Sequence, residues 1–280
     1  MAYDSTARAL YHPECAKPAD MTNSGDDQRY AEISRLAYVQ FEFGKEYEDI
    51  IRASLARIGF RNVAFFPAPS RPNPFDAQGF GAVDDKGNVI IAFRGTQADQ
   101  FGDIRSDIRI RRRKIDKLGG IHEGFYETTE SLRGDIEEWL PTDRISLVIT
   151  GHSLGAAMAT VLAASLKDAT LVTFGSPRVG SAEFAAAFAG RAVRRYVDCL
   201  DTVARVPPAF LGFRHVAAMI YIDRKGGVHG NPLPFAARLI DGLIAFVTHP
   251  AKAWGWNRVW LRNMADHAPA NYVSGVTGTR

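Results

Sequence analysis

Strand-like and helix-like patterns of hydrophobic residues alternate along most of the chain. Short apolar runs rich in β-branched residues predict strands, and these runs are 78–84, 88–94, 145–149, 171–174, 193–199 and 215–222. Apolar residues at helical spacing predict helices before and between the strands, at 30–43, 49–58, 127–140, 156–166 and 182–188. This alternation predicts an α/β fold with a mostly parallel central sheet flanked by helices.

Two segments depart from the parallel pattern. The runs 78–84 and 88–94 are joined at Asp85-Lys86-Gly87, which is typical of a hairpin turn. Residues 109–117 are strongly basic and alternate isoleucine with arginine, so we expect a charged edge strand there. A solvated face is the favoured interpretation of these charges, and a surface that faces lipid headgroups is the alternative.

The chain divides into a polar start and one long domain. Residues 1–28 contain two prolines and predict a loose N-terminal arm, and 29–280 predict a single α/β domain. No continuous apolar run opens the chain, so no secretory signal peptide is predicted, and no apolar stretch reaches the roughly 18 residues of a membrane span. Cys15 and Cys199 have neither metal nor disulfide spacing, which favours a reducing compartment. We therefore expect a cytoplasmic protein by default, and a secreted one if the sequence is a trimmed form.

The composition mainly argues against certain classes of partner. Hydrophobic residues make up 46% of the chain, charged residues make up 23%, and the net charge is +3. This balance gives no reason to expect a nucleic-acid partner. The sequence implies neither a metal nor an organic cofactor, and it carries no signal of oligomeric state.

The predicted chemistry centres on Ser153, in the stretch Thr150-Gly151-His152-Ser153-Leu154-Gly155. A buried strand precedes this G-x-S-x-G pattern and a helix follows it, so the serine lies on a strand-to-helix turn. Small residues at Gly151 and Gly155 let strand and helix pass closely, and the N–H of Leu154 would point at an oxyanion formed there. The alternative is a glycine-rich turn whose serine only caps the helix.

A serine nucleophile needs a base, and the base needs an acid that fixes its tautomer. In the chain order of α/β hydrolases, the acid follows the serine and the histidine comes last. Asp201 stands just past a predicted strand and is the favoured acid, with Asp198 as a weaker candidate. The favoured base is His267, beyond the last predicted strand. The other downstream histidines are His215, His229 and His249.

Six segments, in order, resemble the class 3 (fungal-type) lipases of the α/β-hydrolase superfamily. They are F-R-G-T at 93–96, I-H-E-G-F at 121–125, G-H-S-L-G-A at 151–156, T-F-G-S-P-R-V-G at 173–180, D-T-V-A-R-V-P-P at 201–208, and D-H at 266–267 with Tyr272. Two departures stand out. Ala204 replaces a usual proline, and no tryptophan lies in 97–108, where the family's lid often has one.

The resemblance implies a serine carboxylic-ester hydrolase that acts on lipid esters, in the first place a triacylglycerol lipase. Ser153 carries over as nucleophile, Asp201 as triad acid and His267 as general base, while Thr96 and Leu154 carry over as the oxyanion hole. The lid residues that would contact substrate are Phe101, Ile104 and Ile108. The same site would suit a phospholipase or a short-chain or feruloyl-type esterase. A non-catalytic binding module with a hydrolase fold is the alternative from another class.

A second apolar segment covers 235–247, where apolar residues fill one half of a predicted helix. Trp254, Trp256 and Trp260 follow it, shortly before His267. One interpretation is a helix packed in the core, with aromatic residues that brace the histidine loop. The other is a second cap over the acyl site that makes transient contact with a lipid surface.

Overall fold

The computed structural model describes residues 2–67, 77–96, 111–231, 233–255 and 257–280. In these ranges the strands are β1 (Phe60–Phe66), β2 (Gly79–Asp84), β3 (Asn88–Phe93), β4 (Arg112–Ile115), β5 (Gly119–His122), β6 (Ser146–His152), β7 (Thr170–Phe174), β8 (Val193–Asp198), β9 (Met219–Ile222) and β10 (Val228–His229). The helices are α1 (Ala7–Tyr11), α2 (Asp26–Leu36), α3 (Lys45–Ala56), α4 (Glu123–Trp139), α5 (Leu154–Ser165), α6 (Ala182–Ala186), α7 (Phe235–Lys252), α8 (Arg262–Ala265) and α9 (Pro269–Val276).

Eight of these strands form the central sheet, in the order β1-β2-β3-β6-β7-β8-β9-β10. From β3 through β9 every neighbouring pair in the sheet is parallel. The pairs β1–β2, β2–β3 and β9–β10 are antiparallel. The predicted α/β class, the mostly parallel sheet and the β2–β3 hairpin are therefore confirmed.

Side chains of β3 alternate between two hydrophobic cores, as the pleat of a strand requires. Val89, Ile91 and Phe93 pack in a core with α4 and α5, whereas Ile90 and Ala92 pack in a core with α2 and α3. Full burial of a large apolar side chain contributes about 1.5–3 kcal/mol. Helical layers on both faces thus hold the parallel strands, and the ends of these strands carry the predicted site.

Three features of the sheets differ from the sequence expectations. β1 is not predicted, because Arg61 and Asn62 interrupt it and only Val63 and Phe66 are fully buried. The predicted last strand is followed by β10, which is too short to give a pattern. The basic segment does form a strand, but β4 pairs with β5 in a separate two-stranded sheet and not at the edge of the central one.

The predicted arm is packed against the C-terminal part of the chain and is not loose. Leu10 in α1 is buried, and α2 already begins at Asp26. The Tyr3 hydroxyl donates to Asp266 over 3.0 Å, and the backbone N–H of Asp4 donates to the Asn271 side chain over 2.7 Å. Polar groups of the arm therefore find partners near the predicted histidine. A domain boundary at residue 28 stays a prediction.

None of the helices within the described ranges combines the length and the apolar character needed to cross a bilayer.

Candidate active site

Ser153 lies at the turn between β6 and α5 with an unusual backbone, at φ 58° and ψ −124°. A non-glycine residue with positive φ stores about 1–3 kcal/mol of strain that the surrounding structure must hold. Close approach of backbones imposes the turn. A Cβ at Gly151 would stand 2.4 Å from the carbonyl of Gly155, and a Cβ at Gly155 would stand 2.2 Å from the carbonyl oxygen of Phe93. The sequence expectation of small residues at both positions therefore has a steric basis.

A chain of hydrogen bonds joins the three residues expected to act together. Ser153 Oγ is 2.9 Å from Nε2 of His267, and Nδ1 of His267 is 2.8 Å from Oδ2 of Asp201. Because a carboxylate can only accept, Nδ1–H donates to Asp201 and leaves Nε2 to accept the serine proton. Asp201 follows β8, and His267 lies between α8 and α9. Three distant segments thus meet at the carboxyl end of the sheet.

The other candidates have partners elsewhere. Asp198 forms a buried ion pair with Arg280 and does not reach the imidazole. The remaining histidines donate from Nε2 to other acceptors: His215 to the Ala204 carbonyl, His229 to Asp223 and His249 to the Val259 carbonyl. Of the alternatives left open by the sequence, the structure brings Asp201 and His267 to Ser153.

Tyr272 braces the carboxylate of Asp201. Its hydroxyl donates to Asp201 Oδ2 over 2.6 Å and accepts from the backbone N–H of Asp198 over 3.1 Å. Burial, followed by the charge of Asp201, raises the pKa of Tyr272 well above its ordinary value, so the phenol keeps its proton and remains a donor. The other carboxylate oxygen, Oδ1, accepts from the N–H of Val203 over 2.8 Å. The sequence resemblance named Tyr272 without giving it this role.

The segment after β3 lies against the serine turn. A Cβ at Gly95 would stand 2.6 Å from the carbonyl oxygen of His152, so these two backbones touch. Thr96 comes next and is buried, and its Oγ1 has no hydrogen-bond partner among the described residues. On the other side, Leu154 is the first residue of α5, where N–H groups have no partner within the helix. Donors from two segments are therefore available beside the serine.

Tyr38 and His152 form a buried pair that the sequence reasoning missed. The Tyr38 hydroxyl is 2.7 Å from Nδ1 of His152, and a Cβ at Gly95 would stand 2.1 Å from that hydroxyl. Burial, and then the charge of His267, lowers the pKa of His152 well below its ordinary value, so this imidazole is neutral. No local pattern marks Tyr38, because its partners come from the ends of β3 and β6.

Two further expectations concern what surrounds the serine. The lid residues Phe101, Ile104 and Ile108 lie outside the described residues. Within the described ranges, no three His, Cys, Asp or Glu side chains cluster in a way that could hold a metal ion.

The central parallel sheet and the strained serine at a strand-to-helix turn are those of the α/β-hydrolase fold. Residues 90–211 match the family model described as Lipase (class 3). This match covers somewhat less than half of the chain and agrees with the sequence resemblance to the class 3 lipases.

Two curated relatives illustrate the sequence similarity. Secreted mono- and diacylglycerol lipase 1 of Fusarium solani is 39% identical over 126 residues, which cover 41% of this chain and 36% of that protein. A lipase of Rhizopus oryzae is 32% identical over 161 residues, covering 50% of this chain and 40% of that protein. The chain thus spans about two fifths or less of the length of these relatives.

Solved structures share the fold. The mono- and diacylglycerol lipase of Aspergillus oryzae superposes with a TM-score of 0.61 at 21% identity, over 86% of this chain and 97% of that one. Lipase II of Rhizopus niveus gives a TM-score of 0.56 at 24% identity, over 70% of this chain and 79% of that one. The expectation of a cytoplasmic location finds no support among these relatives, some of which are named as secreted.

Proposed function

We propose that the chain is a serine hydrolase of carboxylic esters that acts on lipids, in the first place acylglycerols. The hydrogen-bonded series from Ser153 through His267 to Asp201 carries the proposal. It is the arrangement that turns a weakly nucleophilic hydroxyl into an attacking group. The names of relatives, which include mono- and diacylglycerol lipases, support acylglycerols as the substrate class.

The reaction would proceed through an acyl-enzyme. Nε2 of His267 takes the proton of Ser153 Oγ as this oxygen attacks the ester carbonyl, and Asp201 stabilises the imidazolium. The imidazolium then gives the proton to the departing alkoxide, and the ester C–O bond breaks. Water, deprotonated by the same imidazole, attacks the acyl-enzyme and releases the carboxylic acid. The serine recovers its proton at the end of the cycle.

The negative oxygen of each tetrahedral intermediate would lie between the N–H groups of Thr96 and Leu154. Thr96 Oγ1 would add a third donor, since this buried hydroxyl has no partner among the described residues. Removal of one such donor costs roughly 3–4 kcal/mol of transition-state stabilisation in comparable sites.

Ser153 and His267 are only 1% and 3% exposed, so an ester must displace covering residues to reach them. We keep the lid at 97–108, with Phe101, Ile104 and Ile108, as part of this proposal.

A contact with lipid surfaces is proposed for the outer face of α7. Ten large apolar side chains between 235 and 261 are more than a third exposed, including Leu243 at 62% and Trp254 at 77%. Two polar residues of α7 are buried: Asp241 pairs with Arg224, and His249 donates to a backbone carbonyl. This arrangement argues against a helix that is buried in the core by its apolar half.

The chemistry of this segment favours a lipid surface over a second protein copy. Between 233 and 262 the chain has four basic residues and a single acidic one; Asp241 is paired with Arg224, and one of the basic residues, Arg262, is buried and paired with Asp266. Exposed aromatic and aliphatic side chains with basic neighbours suit the interfacial zone of a bilayer that contains anionic lipids. We name this the α7 face, consisting of the exposed apolar residues of 235–261.

The central experiment measures hydrolysis of nitrophenyl esters over a series of acyl lengths, together with acylglycerol and phospholipid assays. Maximal rates on long acyl chains in glycerol esters support a lipase. A preference for phospholipids, or for short or aromatic acyl groups, would assign the same site to a phospholipase or an esterase. Failure of Ser153 to react with a fluorophosphonate probe would indicate that the chain is a binding module and not an enzyme.

The α7 face is tested separately, with vesicles of neutral and anionic lipids. We expect Leu243→Glu to reduce vesicle binding and turnover of emulsified esters, with hydrolysis of a soluble ester unchanged. Ile145→Glu is the matched control, because Ile145 is 75% exposed and lies at the far end of the sheet, before β6. Equal vesicle binding by both variants would contradict the contact. A dimer that Leu243→Glu dissociates would instead make the face an interface between copies.

The names of the secreted relatives also favour an extracellular protein over the cytoplasmic default. Detection of the native protein in culture medium, with a cytoplasmic marker retained by the cells, is the expected result.

A further inference from the structure

A cavity of about 370 Å³ lies beside the loop that carries Asp201, next to the first turns of α7. Four of its twelve lining residues are arginines, and none of these described residues is acidic. The arginines come from four segments: Arg178 follows β7, Arg195 lies in β8, Arg205 belongs to the turn after Asp201, and Arg238 lies in α7. The fold therefore gathers positive charge here from distant parts of the sequence.

Only Arg195 of these four arginines is fully buried, and none of the four has the counter-charge that buried arginines such as Arg35 and Arg262 have within the described ranges. In a second arginine-lined cavity, near Tyr3, three of the four lining arginines form close ion pairs. There Arg224 pairs with Asp241, Arg262 with Asp266 and Arg280 with Asp198. At the first cavity, in contrast, no ion pair of Arg178, Arg195, Arg205 or Arg238 occurs within the described part of the chain. Charged side chains are rarely buried unless they are paired, so this difference needs an explanation.

The guanidinium groups at the cavity have unused donors. Arg195 is only 3% exposed, and its single hydrogen bond runs from Nε to the Ala217 carbonyl over 3.0 Å. Both of its Nη groups have no acceptor among the described residues. Arg178 uses Nη1 alone, which donates to the carbonyls of Arg205 and Pro207. An arginine offers five N–H donors in a planar fork that matches the oxygens of an oxyanion.

The electrostatics of the cluster point the same way. Burial lowers the pKa of Arg195 to about 10, and the charge of Arg178 adds to the fall. Burial, together with the charges of Arg195 and Arg178, lowers the pKa of the neighbouring His215 to about 2. The imidazole therefore stays neutral, and the guanidinium groups repel one another. A bound anion would offset the cost of burying these charges and would reduce the repulsion between the guanidinium groups.

We propose that this cavity binds an oxyanion of the phosphate class, held by the guanidinium groups of Arg178, Arg195 and Arg205. Several guanidinium groups without a carboxylate favour a multiply charged anion over a single carboxylate. The anion is either free phosphate or the phosphate of a lipid headgroup. Phe235 and Leu239 line the same cavity and are largely exposed, which gives an acyl chain an apolar exit toward the α7 face. The proposal does not rest on ester hydrolysis, because binding can be measured on a protein that does not turn over.

The experiment is calorimetric titration of the full-length Ser153→Ala chain at constant ionic strength. The probes are inorganic phosphate and dihexanoyl phosphatidate, with dihexanoylglycerol as the uncharged counterpart. We expect Arg195→Met and Arg205→Gln each to weaken phosphate-probe binding by about tenfold or more, since each removes a charge-assisted contact. Arg205 has an exposed side chain, so its variant keeps the fold if Arg195→Met does not. Arg191→Gln is the control, because Arg191 donates only to backbone carbonyls and lies outside the cavity.

The outcomes separate the sources of the anion. Binding of both phosphate probes, sensitive to the two cavity variants, supports the site with free phosphate as a sufficient ligand. Binding of the phosphatidate alone supports the site with a lipid headgroup as the source. Absence of binding by either phosphate probe overturns the proposal, and so does binding that Arg195→Met and Arg205→Gln leave unchanged. If Arg195 has a purely structural role, Arg195→Met loses stability, and Arg205→Gln keeps its full affinity for phosphate.

Discussion

The phenol of Tyr272 donates a hydrogen bond of 2.6 Å to Oδ2 of Asp201, the same oxygen that accepts from Nδ1 of His267. One carboxylate oxygen thus joins two donors from the C-terminal 15 residues of the chain. Tyr272 lies in α9, immediately after the histidine loop. The packing of this helix therefore sets the position of the carboxylate relative to the imidazole.

Removal of that hydroxyl is expected to impair turnover without affecting substrate binding. Tyr272→Phe leaves Asp201 held by fewer donors and leaves the N–H of Asp198 without its acceptor. We expect kcat to fall about tenfold, KM to stay unchanged, and the free energy of unfolding to fall by about 1–3 kcal/mol. Steady-state kinetics on a soluble ester and chemical denaturation measure these quantities. An unchanged kcat in a destabilised protein would give Tyr272 a structural role only.

The base is tested by comparison with the nucleophile. His267→Ala and Ser153→Ala are each expected to reduce ester hydrolysis to background, and the double variant to be no worse than either, because the two groups act as a unit. Single replacements of His215, His229 and His249 serve as controls, since their imidazoles have other partners. A His267→Ala protein of near-normal rate would refute the assignment.

Substitution of the two aspartates near the end of β8 should affect different quantities, the rate for Asp201 and the stability for Asp198. Asp201→Asn is expected to lower kcat roughly 10⁴-fold, because the neutral amide no longer holds the imidazole in the productive tautomer. Asp198→Asn leaves the buried Arg280 with Asp266, at 3.9 Å, as its remaining carboxylate and should lower the free energy of unfolding by up to about 3 kcal/mol, with kcat of the folded fraction retained. Activity and denaturation measured on both variants decide the matter. The reverse ranking of rates would move the acid to Asp198.

The parts of the fold that the sequence predicts are those with local signals. Gly151 and Gly155 mark the serine turn, and the β2–β3 hairpin follows from its turn residues. The orientation of α7 has no such signal. Its periodicity separates an apolar half from a polar half, but the inward position of Asp241 depends on partners outside the helix, Arg224 and Tyr221. The orientation of such a helix depends on partners that distant segments supply.

The same reason applies to the residues around the site. Tyr38 meets His152 across 114 positions of sequence, and the arginine cavity combines four separate segments. Single residues of these kinds are common, so their meaning depends on which neighbours the fold supplies. Ser153, Asp201 and His267 were recognisable because chain order and motif context narrow the choice.

Buried neutral histidines predict acid sensitivity of the fold. Burial lowers the pKa of His122 to about 4 and that of His152 well below its ordinary value. Below about pH 6.5 the unfolded chain therefore binds protons that the folded chain does not, and each histidine removes up to about 1.4 kcal/mol of stability per pH unit. Above about pH 6.5, neither histidine lowers the free energy of unfolding in this way. For His122 the loss continues until the pH reaches about 4.

His122→Asn should reduce this pH dependence. The histidine Nδ1 accepts from the N–H of Phe125 at the start of α4, and asparagine can supply an equivalent cap. We expect a shallower fall in unfolding free energy between pH 6.5 and 4.5 than in the unmodified protein, measured by denaturant titration. His12→Asn, at an exposed histidine, is the matched control. Identical slopes in both variants would show that His122 does not titrate as its burial implies.

Tyr38 offers a test of the proposed oxyanion hole that leaves the triad intact. Its hydroxyl contacts His152 and lies against Gly95, so it joins the serine turn to the segment that carries Thr96. Tyr38→Phe keeps the ring but releases this link, and a displaced donor stabilises the oxyanion less. We expect kcat to fall about tenfold with little change in KM, and fluorophosphonate labelling of Ser153 to slow but still reach completion. Tyr47→Phe is the control, because this partly buried ring packs against the core of α2 and α3 and has no place at the turn. If both variants keep the full kcat, the position of Thr96 does not depend on Tyr38, and other contacts of the segment, such as the bond from the Arg94 N–H to the Gln78 carbonyl, suffice to hold it.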